Sequence, residues 1–390
     1  MIPYGRQNIN QADIEAVVNV LKSDFLTQGP VIPQFEKAVA NYCGVKYTYA
    51  VNSATSGLHI ACIALGLQEG DIVWTSPISF VASANCAKYC GATVDFVDID
   101  PITYNMSVNN LREKLLKADK EGKLPKIVIP VHLAGQSCDM EPIWKLSREY
   151  GFKIIEDASH AIGGSYKSSK VGSCEFSDIT IFSFHPVKII TTGEGGMVCT
   201  NNVEVANKLY RLRSHGITRD STEMTHQPDG QWYYQQIELG YNYRMTDLQA
   251  ALGMSQLNRL DEFVVKRHGI YNRYKEIFKD VSIKLPELEP YAFASLHLYI
   301  VRIENNIAGS NRKGIFEKLR ANGILANIHY IPIYSQPYYQ QFGYNRNDFP
   351  ESENYYKEAI SLPIYPDLSD SELDYIKETI IRPLGHQTLF

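Results

Sequence analysis

Three short constellations have the residue types and the placement that chemistry needs. In Phe182-Ser183-Phe184-His185-Pro186-Val187-Lys188 an apolar, β-rich run is followed closely by a lysine. A lysine delivered beside a buried run is costly unless it has a partner or a task. Condensing with an aldehyde cofactor as a Schiff base removes the ammonium and supplies a catalytic amine. The glycines of Thr191-Thr192-Gly193-Glu194-Gly195-Gly196 permit a turn and close packing just beyond, and Ser183 stands where a hydroxyl reaches a phosphate. Taken alone, a surface lysine laid along apolar neighbours explains Lys188 about as well.

In Ile154-Ile155-Glu156-Asp157-Ala158-Ser159-His160 an apolar strand delivers Asp157 to its carboxyl end. A pyridine ring acting as an electron sink needs a protonated nitrogen, and a buried carboxylate stabilises that pyridinium. A helix-capping aspartate after a strand is the plainer reading of this segment by itself. Asn52-Ser53-Ala54-Thr55-Ser56-Gly57-Leu58 follows a strand and opens a helix. Its small residues let the backbone approach an anion, which the free N–H groups and helix dipole then bind. An ordinary N-cap accounts for it equally well. The three become specific together, because cradle, carboxylate and lysine each follow a strand of one region.

The elements that position them alternate. Strands are predicted at Tyr47–Val51, Asp71–Trp74, Thr93–Val97, Lys126–Val131, Lys153–Ile155, Ile179–Phe184 and Gly196–Thr200, with helices at Ser56–Leu65 and Phe80–Tyr89. Such alternation argues for an α/β unit whose mostly parallel sheet is covered on both faces. Ligands of such sheets bind beyond the carboxyl ends of the strands. From Met245, the spacing of Leu248, Leu252, Leu257, Leu260 and Phe263 predicts one long amphipathic helix. A strand at Leu298–Val301 and a helix over Asn311–Asn322 follow. The chain therefore divides into an N-terminal arm and large domain over 1–244 and a smaller α+β C-terminal domain over 245–390.

Composition narrows the classes. The 390 residues suit two domains. A net charge of −5 without a basic run speaks against nucleic acid as a partner. No apolar run approaches a membrane span, and the polar start lacks a signal-peptide pattern, so no membrane and a cytoplasmic location are expected. Seven scattered cysteines, with only Cys86 and Cys90 close together, are read as reduced thiols rather than disulfides or a metal site.

These motifs resemble those of the DegT/DnrJ/EryC/StrS sugar aminotransferases, along almost the whole chain. The likeness runs from Ser23–Gly29 through Asn52–Ser56, Glu156–Gly163 and Ser183–Gly196. It continues in Arg213–Gly216 and Gly240–Arg244 and ends with His329–Tyr334 and Ile360–Pro363. Within the family, Thr75–Ala82, Ser183-Phe184-His185, Ile189–Thr192 and the approach to Gln340–Gly343 look like the branch of the pseudaminic-acid pathway. The resemblance implies the PLP-dependent transferase type I (aspartate aminotransferase-like) fold, with pyridoxal 5'-phosphate (PLP) as cofactor and pyridoxamine phosphate as its aminated form. It implies transfer of an amino group, from L-glutamate, to C4 of a UDP-4-keto-6-deoxy-N-acetylhexosamine.

Carried over by residue, the resemblance makes Lys188 the Schiff-base lysine and proton carrier and Asp157 the partner of the pyridinium nitrogen. It puts His160 near the cofactor's phenolic oxygen and Phe80 against the ring face. Ala54, Thr55 and Ser183 hold the phosphate, joined by Asn242 from the neighbouring subunit of a homodimer. Tyr4, the loop Asp24, Phe25, Leu26 and Thr27, and the stretch Asn327, Ile328, His329 and Tyr330 contact the nucleotide sugar, and His185 and His215 line the same cleft. Relatives with histidine in place of the lysine act as sugar dehydratases, and this chain keeps Lys188. Two alternatives stand beside this reading: another nucleotide keto-sugar of the perosamine or 4-amino-arabinose type, or a non-catalytic PLP-fold binding or regulatory protein. The polar stretch 218–236, with Trp232, Tyr233 and Tyr234, has no assigned role.

Overall fold

The computed structural model describes residues 1–303 and 311–384. Its centre is a seven-stranded sheet built from β1 (Tyr47–Val51), β2 (Ile72–Thr75), β3 (Thr93–Phe96), β4 (Ile127–Ile129), β5 (Lys153–Asp157), β6 (Ile179–Ser183) and β7 (Gly196–Thr200). The spatial order is β1-β7-β6-β5-β4-β2-β3. Neighbours from β6 through β5, β4 and β2 to β3 run parallel. β7 is antiparallel to both β6 and β1. The expected mostly parallel sheet is therefore present, with one strand reversed. β4, β6 and β7 are buried along their whole length. Their β-branched runs suit a sheet covered on both faces.

Helices α1 (Gln11–Leu21), α2 (Val31–Cys43), α3 (Ala54–Ala64) and α4 (Ala82–Tyr89) belong to this unit. On one face Leu58 and Ile60 of α3 pack with Ile155, Ile181 and Val198. On the other, Phe35 and Val39 of α2 pack with Phe182, Met197 and Phe263. A further core gathers Tyr274, Tyr299, Leu362 and Ile376 from the C-terminal part. There β8 (Tyr299–Arg302) pairs with β9 (Ala359–Leu362). The chain's second and third residues join this part, since Ile2 and Pro3 pair with Ile324 and Leu325.

One expectation is corrected. The apolar spacing after Met245 is divided between two helices, α5 (Asp247–Leu257) and α6 (Leu260–Ile277). A capping box of Thr246 and Gln249 opens α5. Asp261 and Glu262 sit in the first turn of α6, where the helix dipole favours acids. Between them Arg259 turns aside to hold Asp13 and Asn8 of the N-terminal arm. Leu257, Leu260 and Phe263 meet one core across the break, while Leu248 and Leu252 are only half-buried, so apolar spacing alone could not register it. Phe263 and Val264 of α6 pack in the sheet's core, whereas Ile270, Tyr274 and Ile277 pack in the C-terminal one.

Candidate active site

The carboxyl ends of the parallel strands converge on one cavity of about 420 Å³. Ala54 and Thr55 enter it from the start of α3, just after β1. Asp157 ends β5, Ser183 ends β6, and Lys188 lies in the turn from β6 to β7. Phe80 reaches it from the segment between β2 and α4.

Each side chain is held by its local chemistry. Ser53 caps α3, its hydroxyl accepting from Ser56 N–H. The first N–H groups of a helix have no partner within it, so those of Ala54 and Thr55 remain for an anion. Gly196 makes room for this turn: a Cβ there would lie 2.7 Å from Ala54 N and 2.8 Å from Ser53 C. The loop bearing Lys188 is fastened by Thr191, whose hydroxyl donates to Phe184 O (2.9 Å), and by Lys188 N–H donating to His185 O (2.9 Å).

Lys188 Nζ has neither a hydrogen bond nor an ion pair among the described residues. Burial pushes its pKa down to about 8, although the Asp157 charge pulls the other way. The uncharged fraction near neutrality is therefore far larger than for an ordinary lysine, though still a minority, and it is the form a nucleophile requires. Asp157 is 5 % exposed. Ser83 Oγ donates to its Oδ2 at 2.6 Å, and Ser159 donates to Oδ1 through Oγ (2.6 Å) and N–H (3.2 Å). His160 Nε2 lies 3.1 Å from Tyr330 Oη, while its Nδ1 is buried with no partner. Burial, then the positive fields of Lys188 and His329, hold the imidazole well below its usual pKa, so it is neutral.

The expected residues fall into three groups. Ala54, Thr55, Phe80, Asp157, His160 and Ser183 line the cavity, as do His185, Lys188 and Tyr330. His329 and Tyr4 form a layer behind Tyr330: their rings are 4.8 Å apart, and His329 Nδ1 is 2.8 Å from Ser361 Oγ. Burial and Lys188 push His329 down to about 3. Asn327 and Ile328 lead into this layer, Asn327 N–H donating to Ser361 O at 3.2 Å. The structure does not bring Asp24, Phe25, Leu26 and Thr27 to the lining, nor Asn242 and His215, and all six are exposed. Asn242 lies near the cradle nonetheless, its carbonyl 3.5 Å from Asn52 Nδ2.

Sequence reasoning missed Ser79, Ser83, Ser159 and Glu194. Ser159, two residues after Asp157, had a signal in the tendency of such hydroxyls to bond a nearby aspartate. Glu194 stands between the glycines that follow Lys188, where its carboxylate has no local signal for a role. Ser83 had none, being 74 residues from the carboxylate it touches.

The donor set fits PLP. Free N–H groups and a hydroxyl suit its phosphate, a buried carboxylate suits its ring nitrogen, an unpaired amine suits its aldehyde, and the unpartnered His160 Nδ1 can face its phenolic oxygen. A sheet of this order, with an unpaired lysine of lowered pKa and a buried aspartate lining one cavity, suits a PLP-dependent enzyme. The comparisons agree. The family model of DegT/DnrJ/EryC1/StrS aminotransferases matches residues 7–381, and the chain belongs to that family. It is 38 % identical over 383 residues to the UDP-4-amino-4,6-dideoxy-N-acetyl-beta-L-altrosamine transaminase of Campylobacter jejuni, covering 97 % of this chain and 96 % of that one. It is also 38 % identical over 382 residues to the spore coat polysaccharide biosynthesis protein SpsC of Bacillus subtilis, with the same two shares covered. Among solved structures, Helicobacter pylori PseC, an aminotransferase involved in the biosynthesis of pseudoaminic acid, superposes with a TM-score of 0.89 at 33 % identity, covering 98 % of this chain and 99 % of that one. The Streptococcus pneumoniae sugar aminotransferase Spr1654 is solved with PLP and with pyridoxamine phosphate. Its pyridoxamine phosphate form superposes with a TM-score of 0.88 at 30 % identity over the same shares.

Proposed function

We propose that this aminotransferase moves an amino group from L-glutamate to C4 of a UDP-4-keto-6-deoxy-N-acetylhexosamine, as in pseudaminic acid formation. The observation behind the transfer is the unpaired, partly uncharged Lys188 amine sharing one cavity with the buried Asp157 carboxylate. The sugar rests on the likeness to the Campylobacter and Helicobacter enzymes.

When bound, PLP supplies the electron sink. The protein's residues supply the rest. Ala54 and Thr55 N–H and the Ser183 hydroxyl anchor the phosphate, and Asp157 holds the proton at the ring nitrogen. His160, kept neutral, leaves the phenolic oxygen its negative charge. Phe80 would cover the ring, and Lys188 Nζ would carry the proton between the substrate carbon and the cofactor carbon. Tyr330, His329 and Tyr4 form the wall toward the sugar, with Asn327 and Ile328 at its edge. His185 lies at the mouth, and Asp24, Phe25, Leu26, Thr27 and His215 meet the nucleotide outside the cavity. The same proposal includes a homodimer, in which exposed Asn242 serves the neighbouring cradle, and a cytoplasmic location. Among the described residues no helix is long and apolar enough to cross a membrane.

The equal identity to SpsC favours one second reading, a different nucleotide keto-sugar. The test is the visible spectrum of the PLP-loaded protein, which glutamate should bleach and the 4-keto UDP-sugar restore. Bleaching without recovery on this sugar refutes the pseudaminic assignment. Retained turnover in Lys188→Ala refutes the role of the lysine.

A further inference from the structure

Asp157 is reached from α4 by a chain of two buried hydroxyls whose direction the hydrogen bonds determine. Ser83 is 0 % and Ser79 3 % exposed. Ser83 Oγ lies 2.6 Å from Asp157 Oδ2, which is acceptor-only while the carboxylate is charged, and 3.4 Å from Phe80 O, so the single Ser83 proton points at the much nearer Asp157. Ser79 Oγ lies 2.7 Å from Ser83 Oγ. With its own proton committed, Ser83 can only accept there, so Ser79 donates. The order Ser79, Ser83, Asp157 is thus set, and it begins at a residue lining the cavity. Ser159 saturates the other oxygen, Oδ1, and Oδ2 keeps a lone pair.

We propose that Ser79 and Ser83 are positioning residues forming a hydroxyl relay that keeps the negative charge on Asp157 and so keeps the shared proton on the ring nitrogen of the cofactor. Donors to a carboxylate lower its affinity for a proton. Each bond in the relay also strengthens the next, because a hydroxyl that accepts becomes a better donor. Without the relay the carboxylate is more basic, and the proton moves from the ring nitrogen toward oxygen. Helix α4 and its lead-in, which bring Phe80 to the cavity, thereby tune the electron sink as well. The inference rests on the reading of Asp157 as the ring nitrogen's partner.

The experiment uses the full-length enzyme loaded with PLP labelled with nitrogen-15 in the ring, whose NMR shift reports whether that nitrogen is protonated. Wild type, Ser83→Ala, Ser79→Ala and Asp157→Asn are compared across pH. The relay predicts a graded loss. At every pH, Ser83→Ala moves the nitrogen-15 shift toward that of the unprotonated ring, the ratio of proton on nitrogen to proton on oxygen falling about tenfold, and Ser79→Ala moves it by less in the same direction. If Ser83→Ala fails to fold, Ser79→Ala alone still reads the effect. Loss of an inert packing group would change stability but leave this shift in place. A wild-type signal in both serine variants, with protonation lost in Asp157→Asn, overturns the relay and leaves Asp157's role intact. A wild-type signal in Asp157→Asn overturns both.

Discussion

Gly196→Ala tests the phosphate cradle at the point where the backbone leaves no room. A Cβ on residue 196 would meet Ala54 N at 2.7 Å, Ser53 C at 2.8 Å and Ser53 O at 2.9 Å. All three are backbone atoms at the start of α3, so no rotamer relieves the contact and the turn itself must retreat. Overpacking of this kind costs about 1–3 kcal/mol of stability. The retreat also carries the Ala54 N–H away from the phosphate. A hydrogen bond to a charged group contributes about 1.5–3 kcal/mol, so losing one weakens PLP binding by roughly tenfold to a hundredfold. The assay is equilibrium binding of PLP and of pyridoxal, which lacks the phosphate, to the apo-protein. Gly196→Ala should weaken PLP far more than pyridoxal. Gly57→Ala is the control: its Cβ meets side chains of β1, β6 and β7, Val198 Cγ2 nearest at 3.1 Å. It should lower the melting temperature without separating the two ligands. If Gly196→Ala weakens both ligands equally, or neither, the phosphate does not sit at Ala54 and Thr55.

Three further outcomes are expected. The rate at which apo-protein captures PLP should rise with pH and level off above about 8, because burial lowers the pKa of Lys188 to about that value from 10.5. Asp157→Asn, which removes a charge favouring the ammonium, should move the plateau to lower pH. The folded pKa lies below the unfolded one, so the unfolded chain binds more protons between the two values. The lysine's contribution to apo-protein stability should therefore grow as pH rises through that window, which urea unfolding at a series of pH values would show. Glu156→Ala should cost about 3–5 kcal/mol in urea unfolding. Burial opposes this carboxylate's charge, but His132, Ser177 and Thr180 together hold its pKa below the ordinary value, and all three would be left facing an empty acceptor site. Arg267→Ala should cost a similar amount. Arg267 is 0 % exposed with its pKa lowered to about 9 by burial, and its Nη1 ties together the carbonyls of Leu296, His297 and Ile364. Wild-type stability in either variant would refute the packing argument for that residue.

What the sequence made legible follows from how each residue is positioned. Lys188, Asp157 and the Ala54–Thr55 turn are placed by the strand immediately before them, so residue order alone brings them to one edge once the sheet is parallel. β1 and β7 were bounded as the structure has them because their apolar runs end in polar or glycine residues that cannot continue a buried strand. The break between α5 and α6 was not legible, since Arg259 leaves the helix to meet Asp13, a contact 246 residues away in sequence. Ser83 was hidden for the same reason. A serine among alanines in a helix looks like filler until the fold sets it against Asp157.

The outer half of the site follows a different logic. A cavity of about 420 Å³ is near the lower end of the range for ligand pockets. On the proposed reading PLP occupies this cavity, and the nucleotide of the UDP-sugar lies beyond its rim. Phe25 is 54 % and Leu26 48 % exposed on the segment proposed to meet that nucleotide. Catalytic groups are held by strands and buried bonds within one chain, whereas the groups proposed to meet the sugar come from several parts of the sequence and range from buried His329 to the exposed segment 24–27. That division explains why the reaction class reads clearly from sequence while the sugar does not. It also predicts where relatives with different sugars should differ: in 24–27, 218–236 and 327–330, rather than in the hydroxyl-saturated surroundings of Asp157.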